Sequence, residues 1–399
     1  MSVFRSELEG PPSLWLRRRP LRRRVPFAVV GGGLVGLSTA YWLKKAGKEV
    51  LLLEAEHVGG RASGRNAGFL LTGSAEPFQR LAKQIGRERA LAFWHKTAEN
   101  RELLRRELLD RGPGARGGID CDFLPEGSWI AAVDDRAKVE ELQESGQELR
   151  SEGLDLAWVE GAALAEASGS RRLGGAIYQP RDGGLHPVKL TQGMVEAGGI
   201  EVLTGSRVRE LDATAGGGVR MACDAGDVEA DRALLALNAY IPSLIPQLAA
   251  DVRPIRGQMF ATEPLPRTLK GVWYIDDGFQ YLRQLGDGTL VLGGCRNVAF
   301  EEEVGYSEQP SRRVQEALEA FLHEFFPGFS GGAVAHRWAG TMGFSDDGLP
   351  LIGPVPHLPG ALYAAGLTGH GLSLSFVLGR YLARRLTGET EEPFLPPAE

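Results

Sequence analysis

A glycine turn set between two apolar runs constrains this chain more than any other feature. Phe27 to Val30 form the short apolar run of a buried parallel strand. Gly31-x-Gly33-x-x-Gly36 follows. Leu37 to Ala46 then reads as a helix stopped by Gly47, and Val50 to Leu53 as a second buried strand ending at Glu54. In such a unit the first glycine makes the tight turn. The second lets a pyrophosphate approach the backbone, and the third brings helix against strand. The helix N-terminus offers free N–H groups and partial positive charge to phosphates. Glu54 stands about 20 residues beyond Gly33, where a carboxylate accepts from both hydroxyls of an adenosine ribose and repels a 2′-phosphate. The spacing thus indicates a dinucleotide other than NADP and leaves NAD and FAD open.

Composition removes other classes. With 43% hydrophobic and 24% charged residues in 399, the chain can bury a core without staples, and its length suggests two or three domains. A net charge of -6 argues against general nucleic-acid binding. Cys121, Cys223 and Cys295 are widely separated and form no zinc-type cluster, so no metal site is expected and a reducing, cytoplasmic setting fits best. No apolar run has the length of a membrane span. The arginines at 17–19 and 22–24 precede an apolar stretch, as in an export signal. That stretch enters the glycine turn at once, however, and no small-residue cleavage site follows. A solvated basic arm over 1–26, packed through Leu14 and Trp15, is the preferred reading.

Periodicity along the rest of the chain predicts two helices within 76–111, a helix near 136–152, a short helix over 190–197 and a strand over 200–203. A further strand enters a sheet core over 228–237, and residues 251–300 are β-rich. A helix over 311–326 and a final strand–loop–helix from Ala361 complete the pattern. This division gives two interleaved units. Residues 27–80, 170–250 and 331–395 form a dinucleotide-binding domain; 81–169 and 251–330 form a substrate domain.

A second glycine-rich run, Gly59-Gly60-Arg61-Ala62-Ser63-Gly64-Arg65-Asn66-Ala67-Gly68-Phe69, comes directly after the ribose acid. With it the chain resembles the D-amino-acid-oxidase-like family of FAD-dependent oxidoreductases. The branch of gamma-glutamylputrescine oxidase is the nearest, beside glycine oxidase and sarcosine oxidase. The likeness is carried in order along nearly the whole chain. It runs through Gly31–Ala40, Ala62–Phe69, Gly183–Leu190, Ala236–Tyr240, Gly257-Gln258, Ala261–Leu265, Gly293-Gly294, Trp338–Gly343, Asp347–Gly353 and Gly366–Gly371. The chain departs from the family where the helix before Ile200 is cut short. Glu56 to Arg61 also echoes the neighbouring monoamine-oxidase branch.

The resemblance implies an α/β (α+β) fold of glutathione-reductase-2/D-amino-acid-oxidase type, a Rossmann-like FAD-binding domain interleaved with a β-rich substrate domain. It implies that FAD is held by Gly31, Gly33, Leu34, Val35, Gly36, Glu54, Ala55, Arg61, Ala62, Ser63, Arg65, Asn66, Ala67 and Gly68. Val208 would meet the adenine, and Asn238 and Gly343 would lie near the cofactor. Gly366, Thr368, Gly369, His370 and Gly371 would wrap the isoalloxazine end. Arg283 would fork onto a substrate carboxylate, with Arg256 and Arg65 as rivals. Tyr281 and Trp338 would wall the pocket. No cysteine stands near Thr341 and Met342, so the flavin is expected to be non-covalent.

The implied reaction is oxidation of a C–N bond in an amine or amino acid. Hydride passes to flavin N5, an imine hydrolyses to a carbonyl, and oxygen reoxidises FAD with release of hydrogen peroxide. That is chemistry on CH–NH2 or CH–NH bonds. The strand from Gly288 to Leu292 lacks the lysine that some relatives use to activate oxygen. Together with the basic arm, this keeps open a dehydrogenase passing electrons to a quinone or protein partner. A flavin-binding protein without turnover is a third possibility.

Overall fold

The computed structural model describes residues 21–110 and 118–397. The expectations for Leu14, Trp15 and the arginines at 17–19 lie outside these residues. Two eight-stranded sheets organise the molecule.

The first sheet runs Leu351–Val355, Leu358–Ala365, Gly226–Leu235, Leu21–Val30, Val50–Leu53, Glu201–Leu203. Val219–Cys223 and Val208–Ala213 extend it as an antiparallel meander from Gly226–Leu235. From Leu358–Ala365 to Glu201–Leu203 the pairings are parallel. Parallel strands need both faces covered, and the continuous apolar runs of Val50–Leu53 and Ala28–Val30 are buried accordingly. Helices Leu34–Lys45 and Gly371–Leu386 pack together over one face. Gly379 sits against Ser38, where a Cβ would lie within 2.7 Å of backbone.

The expected basic arm needs correction here. Residues 21–26 are not an arm but the first part of the central strand, which begins at Leu21 and pairs in register with Gly226–Leu235 from Leu21↔Gly226 onward. Arg23 is salt-bridged to Glu201, and Arg24 to Asp231 at 3.0 Å, so these cations are tied to neighbouring strands. The arginines concealed the strand because Arg23 and Arg24 are satisfied by acids on other strands of the same sheet rather than by an apolar pattern of their own.

The second sheet runs Val334–Phe344, Arg253–Thr262, Leu290–Gly294, Gln280–Gln284, Val272–Ile275, Ser128–Val133, Leu173–Gln179, Ala157–Glu160. It is antiparallel except between Val272–Ile275 and Ser128–Val133. Two strands lie across the sequence-based division. Leu173–Gln179 and Val334–Phe344, assigned to the dinucleotide-binding side, are hydrogen-bonded into this sheet. Val334–Phe344 pairs along nearly all of Arg253–Thr262, and that ladder decides its place. One face packs under helix Arg312–Phe325, with Leu282, Leu290, Leu292, Val314 and Leu318 fully buried together. Residue alternation sends Tyr281 and Arg283 to the opposite face, towards the first sheet. The helix expected over 190–197 begins earlier, at Pro187, because proline suits the first helical position and His186 caps it.

Candidate functional site

In the first sheet the chain leaves Leu21–Val30 towards Val50–Leu53 on one side and Gly226–Leu235 lies on the other. Strand order therefore reverses at the carboxyl end of the central strand, which is where open α/β sheets bind ligands. Gly31 occupies that point at φ 108°, and a Cβ there would come 2.5 Å from the Ala236 carbonyl oxygen. A Cβ on Gly36 would overlap the Gly31 carbonyl oxygen, so helix and strand approach as only glycine permits. A long cavity opens from this turn and runs between the two sheets. Its walls include Gly31, Gly33, Glu54, Val208, Arg61, Arg65, Thr368, His370, Tyr274 and Tyr281.

At one end Glu54 accepts the Gly32 N–H at 2.7 Å and the Glu56 N–H at 2.8 Å, which fixes the carboxylate at the cavity wall beside Val208. Ser63 accepts the Leu34 N–H at 2.9 Å, which ties the second glycine-rich run to the first helix. Asn66 braces that run, donating to the Ala62 and Ser63 carbonyls and accepting the Gly68 N–H at 2.8 Å. Arg65 donates to the Gly60 and Ala339 carbonyls, and both Arg61 and Arg65 pair with Glu308, at 2.7 and 2.9 Å.

Helices Leu34–Lys45 and Gly371–Leu386 both begin at the cavity, and neither carries an acid in its first turn. Two positive dipole ends, whose first-turn N–H groups other than that of Leu34 are uncommitted, suit an extended anion with a second electron-poor end. His370 caps this region. Its Nε2 accepts the Ala75 N–H at 3.2 Å, and its Nδ1 has no partner of hydrogen-bond geometry. Burial, with Arg296 adding to it, pulls its pKa down to about 4, so the ring is neutral at physiological pH.

Most of the residues expected at the cofactor line this cavity. Gly36, Gly68, Gly343 and Gly366 do not line it and act one layer back. Gly343 is one example, since a Cβ there would meet Asn238 Oδ1 at 2.7 Å, the atom that accepts the Leu367 N–H.

The expected substrate residues divide. Tyr281 lines the cavity, while Arg283 and Trp338 do not. Arg283 is only 6% exposed; it donates to the Leu185 carbonyl at 2.7 Å and is closed off behind Gly68 and Gly184. Trp338 Nε1 donates to the Arg65 carbonyl at 3.0 Å and holds the glycine-rich run from behind. Arg256 is bound to buried Glu303 at 2.6 Å and is likewise unavailable. Tyr274, Met259 and Arg296 are among the wall residues that were not anticipated. Tyr274 and Tyr281 face each other across strands with ring centroids 5.9 Å apart, and Phe69 meets both edge-on. Burial raises the pKa of both phenols, that of Tyr274 to about 12, so both hydroxyls stay protonated.

The family described as FAD dependent oxidoreductase (DAO) matches residues 27–385. The chain belongs to this family. Its members and structural neighbours are FAD-binding flavoproteins, and the acid-free helix starts, the glycine cradle and the unpartnered His370 Nδ1 fit that cofactor. The chain is 31% identical over 379 residues to gamma-glutamylputrescine oxidoreductase of Escherichia coli (strain K12), covering 91% of this chain and 84% of that one. It is 28% identical to a glycine oxidase of Pseudomonas aeruginosa, over 93% of this chain and 96% of the relative. L-proline dehydrogenase from P. horikoshii shares the fold, with a TM-score of 0.77, 19% identity, and coverage of 94% of this chain and 96% of that one.

Proposed function

We propose that this DAO-family protein uses non-covalent FAD to oxidise a C–N bond of an amine or amino acid, with oxygen as electron acceptor. The observation that carries this reading is one cavity that joins the ribose acid Glu54 to a wall of Tyr274 and Tyr281. None of the three cysteines lines it, which supports a flavin held without a thioether. FAD, when bound, supplies the two-electron acceptor and the route from there to oxygen. Phe69, Tyr274, Tyr281 and Met259 exclude water and orient the substrate. Its C–N bond becomes C=N with loss of one C–H and one N–H hydrogen, and water then releases the carbonyl product. Neither tyrosine is set to take a proton, and His370 is neutral with its Nε2 occupied. The substrate amine therefore enters as its free base. The three free cysteines and the absence of any membrane-crossing helix among the described residues are compatible with a cytoplasmic setting.

No lysine lines the cavity among the described residues, and this favours a second reading in which a quinone or protein takes the electrons. The test is an anaerobic titration of the purified flavoprotein with amines and amino acids, followed at the oxidised-flavin absorbance band. Bleaching by one of them is expected, and recolouring in air with stoichiometric peroxide supports the oxidase. Recolouring only with an added quinone supports the second reading. A bound flavin that no amine bleaches overturns both.

A further inference from the structure

A row of alternating charge crosses the mouth of the cavity. Arg207 pairs with Glu56 at 3.2 Å, Glu56 with Arg61, and Arg61 and Arg65 with Glu308 at 2.7 and 2.9 Å. Arg207, Glu56, Arg61 and Arg65 line the cavity, yet their side chains are 32 to 44% exposed. Side chains that border both cavity and solvent stand at its opening. Arg207 precedes strand Val208–Ala213, Glu56 follows strand Val50–Leu53, and Arg61 and Arg65 belong to the second glycine-rich run. Glu308 comes from the opposite side, on the loop over 299–311 that leads into helix Arg312–Phe325 on the second sheet.

The foot of that loop is firmly anchored. Glu303, only 1% exposed, holds Arg256 at 2.6 Å and accepts from Gln258 at 2.8 Å, and the Ser311 N–H donates to Gln258 at 2.8 Å. The part between reaches across to the first sheet. The Tyr306 hydroxyl donates to the Ala239 carbonyl at 3.1 Å, and its ring lies 5.4 Å from that of Tyr240. The Tyr240 hydroxyl donates to Glu308 at 3.3 Å, and the Arg61 guanidinium lies 5.6 Å from the Tyr240 ring centroid. Buried pairs such as Arg256–Glu303 stay closed, whereas partly exposed pairs are weak, screened by salt, and free to part and re-form. The loop is therefore a strap with a fixed foot and a releasable end.

We propose that this row is a clasp. Glu308 closes the strap over the flavin nucleotide by holding Arg61 and Arg65, and its opening sets the rate at which FAD is exchanged. This rests on the non-covalent attachment read above and not on the C–N chemistry. Both arginines reach the same Glu308 oxygen, Oε2, so without its charge two close guanidinium groups repel each other and the strap loses its hold. Glu308 itself does not line the cavity, so it acts on the cofactor only through these arginines.

The test follows the fluorescence that appears as FAD leaves the purified holoenzyme on dilution, from about 0.01 to about 1 M sodium chloride. Glu308→Gln keeps the shape without the charge, and Glu56→Gln cuts the row on its other side. Glu316→Gln breaks an exposed pair with Arg312 away from the row and serves as the control. Tm establishes that each variant is folded. Release from the wild type should quicken as salt rises. At low salt Glu308→Gln should release FAD about tenfold faster and respond little to salt; Glu56→Gln should fall between, and Glu316→Gln should match the wild type. Unchanged release in Glu308→Gln overturns the clasp. Faster release that keeps the wild-type salt dependence also overturns it, since that marks lost packing rather than a lost charge. Slower release overturns it as well, because Arg61 and Arg65 would then bind the cofactor phosphates in competition with Glu308. Flavin that stays on the acid-denatured chain overturns the non-covalent attachment and the clasp together, whereas flavin freed by acid with unaltered release rates overturns the clasp alone.

Discussion

The two ends of the cavity are built on different principles. At the glycine end, the backbone forms the wall. Gly31 and Gly36 have no room for a Cβ, and the groups offered to a ligand are helix N–H donors and one fixed acid, Glu54. At the aromatic end, side chains from adjacent strands do it, and their identity depends on cross-strand register, as with Tyr274 opposite Tyr281. The first arrangement leaves no space for a Cβ at Gly31 or Gly36, while the second depends on which side chains the strands carry.

The sharpest break of this contrast is Gly36→Val. The added side chain must displace the Gly31 carbonyl, so flavin affinity should fall by roughly 100-fold or more, about 3 kcal/mol, with visible loss of stability. Equilibrium dialysis against FAD and a thermal melt would check it, and near-normal flavin retention would show that the turn can relax. At the aromatic end, His370 should leave a signature in pH rather than in binding. Its folded pKa of about 4 lies below its ordinary 6.5. Between those values the unfolded chain takes up a proton that the folded protein does not, so stability rises with pH across that window and is lost as pH falls. Urea unfolding from pH 4 to 7 should show this slope, reduced by up to about one proton in His370→Gln. The smallest effect is expected for Arg283→Met. It removes a buried cation and one bond to Leu185 and should change stability by about 1 kcal/mol in urea unfolding, with flavin content and activity retained. Loss of activity with flavin retained would instead put Arg283 at the substrate.

The same contrast explains what could be read from the sequence. Gly31, Gly33, Gly36 and Glu54 have fixed spacing because the turn has fixed backbone geometry, and the second glycine run identified itself by following them directly. Arg283 and Arg296 carry no such spacing. Each stands at or just past a strand end in the β-rich region, and only the packing of Gly68, Gly184 and Leu185 closes one away while Phe279 and Phe344 present the other. Tyr274 was legible as a strand residue but not as a wall, since its face depends on which strands pair. The strand from Leu21 was hidden for a related reason: its arginines satisfy Glu201 and Asp231, acids about 180 to 210 positions away that no local pattern reveals.

That central strand also sets an order of events during synthesis. Val30 and the glycine turn are among the first parts of the fold to leave the ribosome, yet the strands beside and beyond them come from 226–235 and 358–365, and the second helix of the pair from 371–386. The turn therefore waits, with one flank unpaired, until residues 226–235 have been made, and without the second helix of the pair until 371–386 have followed. FAD captured by the nascent chain would find half a cradle, and flavin loading belongs to the last stage of folding rather than the first.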